Sequence, residues 1–428
     1  MSEALVKSST FTIETEATYG TDPASAPRVL ETSGVPTFSD TYDTIERDII
    51  RQAFSTYAPI RGVENTSGSF AVEAHGSGTY DTPLESWMAY RAAFGYLIGP
   101  NTDEADAAIA FTLAEQTLSL SDDLNYTDPQ MKTGTITMAS TADLVVGYPF
   151  RIYDSTGATL KLAGFITAVT TDTSIGIITS SSDASVSIVN TDELDVGFMF
   201  TLRDEDLDQV VALPSLAMNY YRGDITKETY VGNIITEFSL DMSTGQLILP
   251  SFSWEGKTVS YEEISYSGGT TTYDSSTTSP LVMKLSDIFM EDEDGNVYQD
   301  CISNIQITIT NEVFKKQCVA TSGIGKVIRT KRTVVGSLNS FYEGMDFQDD
   351  FKNEKTYKLR ALVGYSTGTD IDGHTQDTDD IGNILAISIP QLKFSEVGID
   401  EDSGIFKYNA SFSCEPVDGD DEILLSWL

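Results

Sequence analysis

Cysteine is scarce in these 428 residues, with Cys301, Cys318 and Cys414 alone. An odd, sparse set in a long chain argues against a disulfide framework and reads as thiols kept in a reducing compartment. Histidine is scarcer still. His75 and His374 have no second His or Cys at ligand spacing, so a zinc site has no support. No run of about 18 apolar residues occurs, so no transmembrane helix is expected. The first nine residues carry no apolar h-region, so no secretory signal is expected either. Basic residues are few: 26 Lys and Arg stand against 65 Asp and Glu, a formal net charge of -39. A surface of that sign does not wrap nucleic-acid phosphates or adhere to an anionic membrane, because both need cations.

Catalytic signatures are equally thin. Gly256-Lys257-Thr258 resembles the end of a phosphate-binding loop, but Ser251 stands where that loop needs glycine, and the flanks alternate like strands. It reads as a hairpin end. Glu291-Asp292-Glu293-Asp294-Gly295-Asn296 and Asp370-Ile371-Asp372-Gly373 lack the spacing of a calcium loop and read as solvated turns. A carboxylate-based glycosidase would need one defined acid pair, and nothing singles out a pair among 65 acids. The chain is therefore read as no enzyme, with no cofactor, no metal and no catalytic residue.

What is present is alternation with period two, together with abundant Ser and Thr. Ser69–His75 puts Phe70, Val72 and Ala74 on one face and Glu73 and His75 on the other. Ile305–Thr310, Tyr357–Val363 and Phe406–Ser413 repeat the pattern. A long hairpin is expected at 230–255, with Ile234, Thr236, Phe238 and Leu240 on one face and a turn at Ser243-Thr244-Gly245. Two helices are expected. The first has Thr82 as N-cap, Glu85 closing a capping box, a stripe from Leu84 to Ile98 and a stop at Gly99-Pro100. The second runs from Pro280 to about Met290. Residues 133–200 carry short, weakly charged strands and read as a small inserted all-β module. A faint repeat links the strand, helix and hairpin of the first part to elements at 279–290, 302–310 and 383–414, with the order of elements not kept. Lys315, Lys316, Lys326, Arg329, Lys331 and Arg332 crowd one span, a basic patch suited to an acidic neighbour.

Glu16-Ala17-Thr18-Tyr19-Gly20-Thr21-Asp22-Pro23, Ile60-Arg61-Gly62, Gly68–Gly78 and Thr330–Leu338 resemble the tail tube (major tail) proteins of long-tailed bacteriophages. The resemblance covers roughly residues 10–100 and 205–415. It implies a mainly β chain: a tail-tube-type β-sandwich or barrel, single or duplicated, with flanking short helices and the inserted module. The tube domain would begin in residues 1–132, with a stacking loop at about 40–62. The module at 133–200 would face outward. The rest of the tube domain, or a second copy, would fill 201–428, with a shorter loop counterpart at 336–356.

The resemblance further implies a structural virion protein whose rings stack into a hollow tube with an acidic lumen, through which DNA passes without specific binding. Partners would be the chain itself, in a ring of six or of three if duplicated, with tape-measure, tail terminator and distal tail proteins. No membrane is involved. The site would be the virion tail, after synthesis in the host cytoplasm. Glu73, Glu237 and Asp241 are candidate lumen residues. Arg47, Arg51, Arg61, Lys331 and Arg332 are candidate contacts between subunits or rings. The other reading is a phage or cell-surface decoration or receptor-binding protein, to which the insert would suit.

Overall fold

Alternating apolar residues place one face of each strand against a shared core, and long antiparallel pairings follow from that patterning. In the computed structural model the chain is mainly β, with two short helices among the described residues. The structure describes all residues except 1–8, 24–26, 48–57, 101–105, 123–130, 203–212, 264–277, 318–323, 342–345 and 365–381, and a few turn positions (155, 158, 181–182, 224, 284–285, 294, 296, 299–301, 403, 418). None of the described helices is long and apolar enough to cross a membrane.

Two sets of elements follow the same order. The first is β1 (Thr10–Thr15), β2 (Thr37–Ile45), β3 (Ile60–Ala71), α1 (Trp87–Phe94), β4 (Leu216–Arg222), β5 (Thr226–Ser243) and β6 (Ser251–Gly256). The second is β7 (Ser286–Asp292), β8 (Ile302–Gln317), β9 (Ile324–Phe341), α2 (Asp346–Lys352), β10 (Thr356–Val363), β11 (Leu385–Asp402) and β12 (Ile405–Cys414). The pairings match one for one. β1 pairs with β4 as β7 pairs with β10. β4 pairs with β5 as β10 with β11, and β5 with β6 as β11 with β12. β3 joins β2 and β6 as β9 joins β8 and β12.

The correspondence extends to single residues. β5 bulges between Ile235 and Glu237, and β11 bulges between Phe394 and Glu396. Gly68 lies opposite Trp254 and Gly336 opposite Phe412, each sheltered by that ring. A Cβ on Gly68 would stand 2.1 Å from the Thr37 carbonyl, and one on Gly336 would stand 2.3 Å from Phe412 Cζ. Both positions therefore require the residue without a side chain.

β5 and β11 are long enough to serve two layers each. The first half of β5 pairs with β4 and with Thr258–Glu263, which continues β6 beyond Lys257. Its second half pairs with β6 and β8. Between the layers lies one core, where Tyr90, Phe94, Phe200, Phe238 and Phe252 pack ring against ring.

Residues from the 133–200 stretch give most of a separate seven-stranded sheet, completed by Ala110–Thr112 and Ser121–Asp122. Phe198–Thr201 already belongs to the main sheet, pairing with Leu424–Trp427 and Tyr96–Ile98. Two devices fix this insert. Arg151 Nε donates to Asp195 Oδ1 at 2.7 Å with both side chains fully buried, and its Nη2 donates to the Tyr80 carbonyl. Ala163, Phe165 and Ile178 pack on Phe289, Leu362, Ile384 and Ala386 of the second set.

Several sequence expectations need correction. The helix expected over 280–290 is strand β7. Phe289 packs on the insert and Met290 in the central core, and a strand buried on both faces presents consecutive apolar residues that imitate helical spacing. α1 is shorter than expected, running Trp87–Phe94 and ending at Gly95. Its N-cap is Ser86 rather than Thr82, and the Glu85 carboxylate accepts the Glu31 N–H. Ile98 leaves the stripe for Tyr96–Ile98 and packs with the insert. Ile234 does not share the inner face of Phe238, because the bulge reverses the alternation, and Ile235 takes that place in the core. Gly256-Lys257 is a kink in one continuous strand, not a hairpin end. In the second set the helix is α2, Asp346–Lys352, and not the expected 280–290 segment.

Candidate assembly surface

Eight strands form a continuous run in the order β2-β3-β6-β5-β8-β9-β12-β11. One face of this run lies on the core. On the other, the registers line up Ser69, Ser253, Glu237, Thr310 and Thr333 in one row. Asp241, Gln306, Ser337, Ser411 and Glu396 form another. Hydroxyls, amides and carboxylates make up these rows, with no cation in either. At 4.7–4.9 Å between strands, Asp241 and Glu396 stand about 19 Å apart across the sheet.

Glu237 and Asp241 are exposed on this face, opposite the buried Phe238 and Leu240. Asp241 accepts from Asn304 Nδ2 at 2.8 Å. Glu73 is half-buried in the extended segment just beyond β3, so it flanks the rows and does not join them. Two further carboxylates belong with the pair. Glu396 and Asp400 hold in β11 the places that Glu237 and Asp241 hold in β5. The signal was present in the sequence: Glu237-Phe238-Ser239-Leu240-Asp241 and Glu396-Val397-Gly398-Ile399-Asp400 share one pattern of acid, apolar, small, apolar, acid.

The proposed cationic contacts separate. Arg47 and Arg61 are exposed on the β2–β3 hairpin, and Arg61 lies over the Tyr42 ring at 4.8 Å. Arg51 lies outside the described residues, as do His374, the 370–373 cluster, Cys301 and Cys318. Lys331 is exposed, 3.6 Å from Glu312. Arg332 is nearly buried and bonds Asp420 at 2.7 Å and Glu422 at 2.6 Å, so it ties down the C-terminal segment of its own chain. Lys315 likewise pairs with Glu255 at 3.0 Å. In the acidic cluster near β7, Glu291 pairs with Lys358 and Asp292 with Lys355, both at 3.2 Å. Cys414 is a free buried thiol, which burial pushes up to about 12, and it has no nucleophilic role at neutral pH.

The two ends of the eight-strand run differ from its middle. In the middle, β5 pairs with β8: Glu237 faces Thr310, Leu240 faces Ile307 and Ser243 faces Asn304. At the ends, among the described residues, β2 pairs only with β3, and β11 beyond Glu396 pairs only with β12. β2 is the counterpart of β8 and β11 the counterpart of β5. The chain thus carries one closed joint, and the counterparts of its two strands lie apart at the two ends of the run. Leu240 is 0% exposed in the closed joint, whereas its counterpart Ile399 is 40% exposed at the open edge. On β2, burial and then the charge of Glu64 push the Asp40 carboxyl above its ordinary value, against the opposing pull of Arg61.

A family model described as phage tail tube protein matches residues 7–414. No curated protein matches the chain.

Proposed function

The chain belongs to the phage tail tube protein family, a structural component of the virion tail and not an enzyme, and from that premise we propose that three copies close into one ring of the tube. Membership carries self-assembly into a tube together with other tail components. A chain with two equivalent units would supply two of the six that the family resemblance implies for a ring. The observation that carries this reading is the built-in joint between β5 and β8, whose two strands have counterparts in β11 and β2 with, among the described residues, no strand on their outer edges. Edge strands with free N–H and C=O groups pair readily with a further strand. A heterologous joint of this kind generates a closed ring when a whole number of its rotations completes one turn.

Four wall strands per unit give twenty-four in three chains. At about 4.8 Å per strand the wall is about 115 Å around, about 37 Å across before strand tilt widens it, and passes a DNA duplex. The Ser/Thr face with Glu237, Asp241, Glu396 and Asp400 lines this bore. Its carboxylates repel phosphate, and the lysines of the same face stand against carboxylates of their own chain, Lys331 by Glu312, Lys393 by Glu354 and Lys407 opposite Asp400, so they offer phosphate little and the duplex slides. The insert packs on β7 and β10, in the layer away from that face, and points outward. The β2–β3 hairpin with Arg47 and Arg61 reaches toward the next ring. Cryo-electron microscopy of assembled tubes tests the proposal. The expected average has threefold rings, two β units per chain and an open acidic bore; six chains per ring or a closed centre would overturn it.

A further inference from the structure

We propose that the turn between β11 and β12 is a plug that seats in a pocket beside β1 and β2 of the next copy. The inference rests on the three-chain ring and adds a second contact to its joint. Its precedent lies inside the chain. The equivalent turn, between β5 and β6, reaches past its own unit: Thr244 N–H and Oγ1 both bond the Ser303 carbonyl at 3.0 Å. Gly245 N–H bonds the Met283 carbonyl at 2.9 Å, and Met283 N–H returns a bond to Gln246 at 3.1 Å. Ile248, just beyond this tip, is fully buried.

The second turn repeats the shape without the receptor. Gly245 and Gly404 both hold the left-handed conformation, at φ 75° and 85°. After Gly404 come Ile405 and Phe406, 54% and 60% exposed, two adjacent large apolar side chains in water. The receptor is present at the other end of the chain. Ser303 lies four residues before Ile307, which faces Gly336; Gly34 lies four residues before Phe38, which faces Gly68. Gly34 therefore holds the place of Ser303. It lines a pocket of about 480 Å³ with Phe11, Leu30, Val35, Pro36 and Tyr220. Knob and hole sit at the two open halves of one joint, so the occupant is a second copy of this chain. Covering Ile405 and Phe406 removes apolar surface from water where edge-strand hydrogen bonds alone would leave a joint narrow and easily slipped.

The test places a photo-crosslinking benzoylphenylalanine at position 406 in the full chain, assembled into tubes. Crosslinks from 406 of one chain to residues 9–11 or 28–36 of another are expected. Tubes whose crosslinks map elsewhere would overturn the plug and leave the ring standing; a chain that never assembles at any concentration overturns both. A second measurement uses Phe406→Asp and Val35→Arg, both at exposed positions. Each should keep the wild-type denaturation midpoint yet raise the critical concentration for tubes at least tenfold, equivalent to about 1.4 kcal/mol. Phe406→Leu should assemble nearly as wild type. Assembly of Phe406→Asp at the wild-type concentration would refute the plug.

Discussion

Leu240 and Ile399 occupy the same position in the two units, and their truncation should separate folding from assembly. Leu240 is fully buried, facing Ile307 across the joint within the chain. Leu240→Ala removes packed core volume and should cost the folded monomer about 2–5 kcal/mol. Ile399 faces water over 40% of its surface. Ile399→Ala should leave the monomer within about 0.5–1 kcal/mol of wild type, because two-fifths of the residue faces water at an edge that can relax around the truncation. The penalty appears on assembly. Full burial of such a side chain is worth about 1.5–3 kcal/mol, so covering the exposed part is worth about 1 kcal/mol at each joint. That is about fivefold in the association constant per joint, repeated three times in a ring. Urea denaturation of the monomer gives the first quantity, and the critical concentration for sedimentable tubes gives the second. Two results would refute the reasoning: equal destabilisation of the monomer by both variants, or unchanged assembly of Ile399→Ala. The first would mean that β11 is already covered within its own chain, the second that it is not the ring edge.

Gly336→Val should destabilise the monomer by about 1–3 kcal/mol or more, since its Cβ would meet Phe412 at 2.3 Å and the Gln306 carbonyl at 2.6 Å; Gly68→Val should behave alike, and a neutral effect on the denaturation midpoint of either would contradict the close approach. Asp195→Ala strands the fully buried Arg151 guanidinium and should cost about 3–5 kcal/mol, read as early loss of the insert in hydrogen exchange, whereas a paired Arg151→Met, Asp195→Leu replacement should recover most of it. Acidification toward the ordinary carboxylate range should favour tubes. Burial and the charge of Glu64 already raise the Asp40 carboxyl, and covering it with the acidic edge strand of the next copy disfavours its charged form further, so closing the joint takes up a proton there. Light scattering against pH at fixed ionic strength checks the sign, and Asp40→Asn should flatten the dependence.

Much of the fold was legible because a one-sided sheet writes itself as alternation. Ile305, Ile307 and Ile309 are fully buried, with Gln306, Thr308 and Thr310 on the other face, as their spacing predicts. Legibility failed where a strand has core on both sides. β7 and β10 lie between the main core and the insert, so Phe289 with Met290, and Ala361 with Leu362, are apolar in succession and lose the period-two signature. It failed again at bulges, where one extra residue at Ile235–Glu237 exchanges inside for outside. The basic span was overread for a related reason: the charge of Arg332 is visible in the sequence, but Asp420 and Glu422, about ninety positions later, neutralise it only in three dimensions.

By itself the sequence determined the class of structure and the sign of its surface. Alternation, Ser and Thr on strand faces, and 65 acids against 26 bases depend on composition and near neighbours alone. The tertiary structure alone decided that β5 meets β8 within the chain while, among the described residues, the outer edges of β2 and of β11 beyond Glu396 meet no strand, and hence which acids share a face. Strand partnership is set by contacts between residues far apart in the chain, and no local pattern encodes which edge another strand will fill.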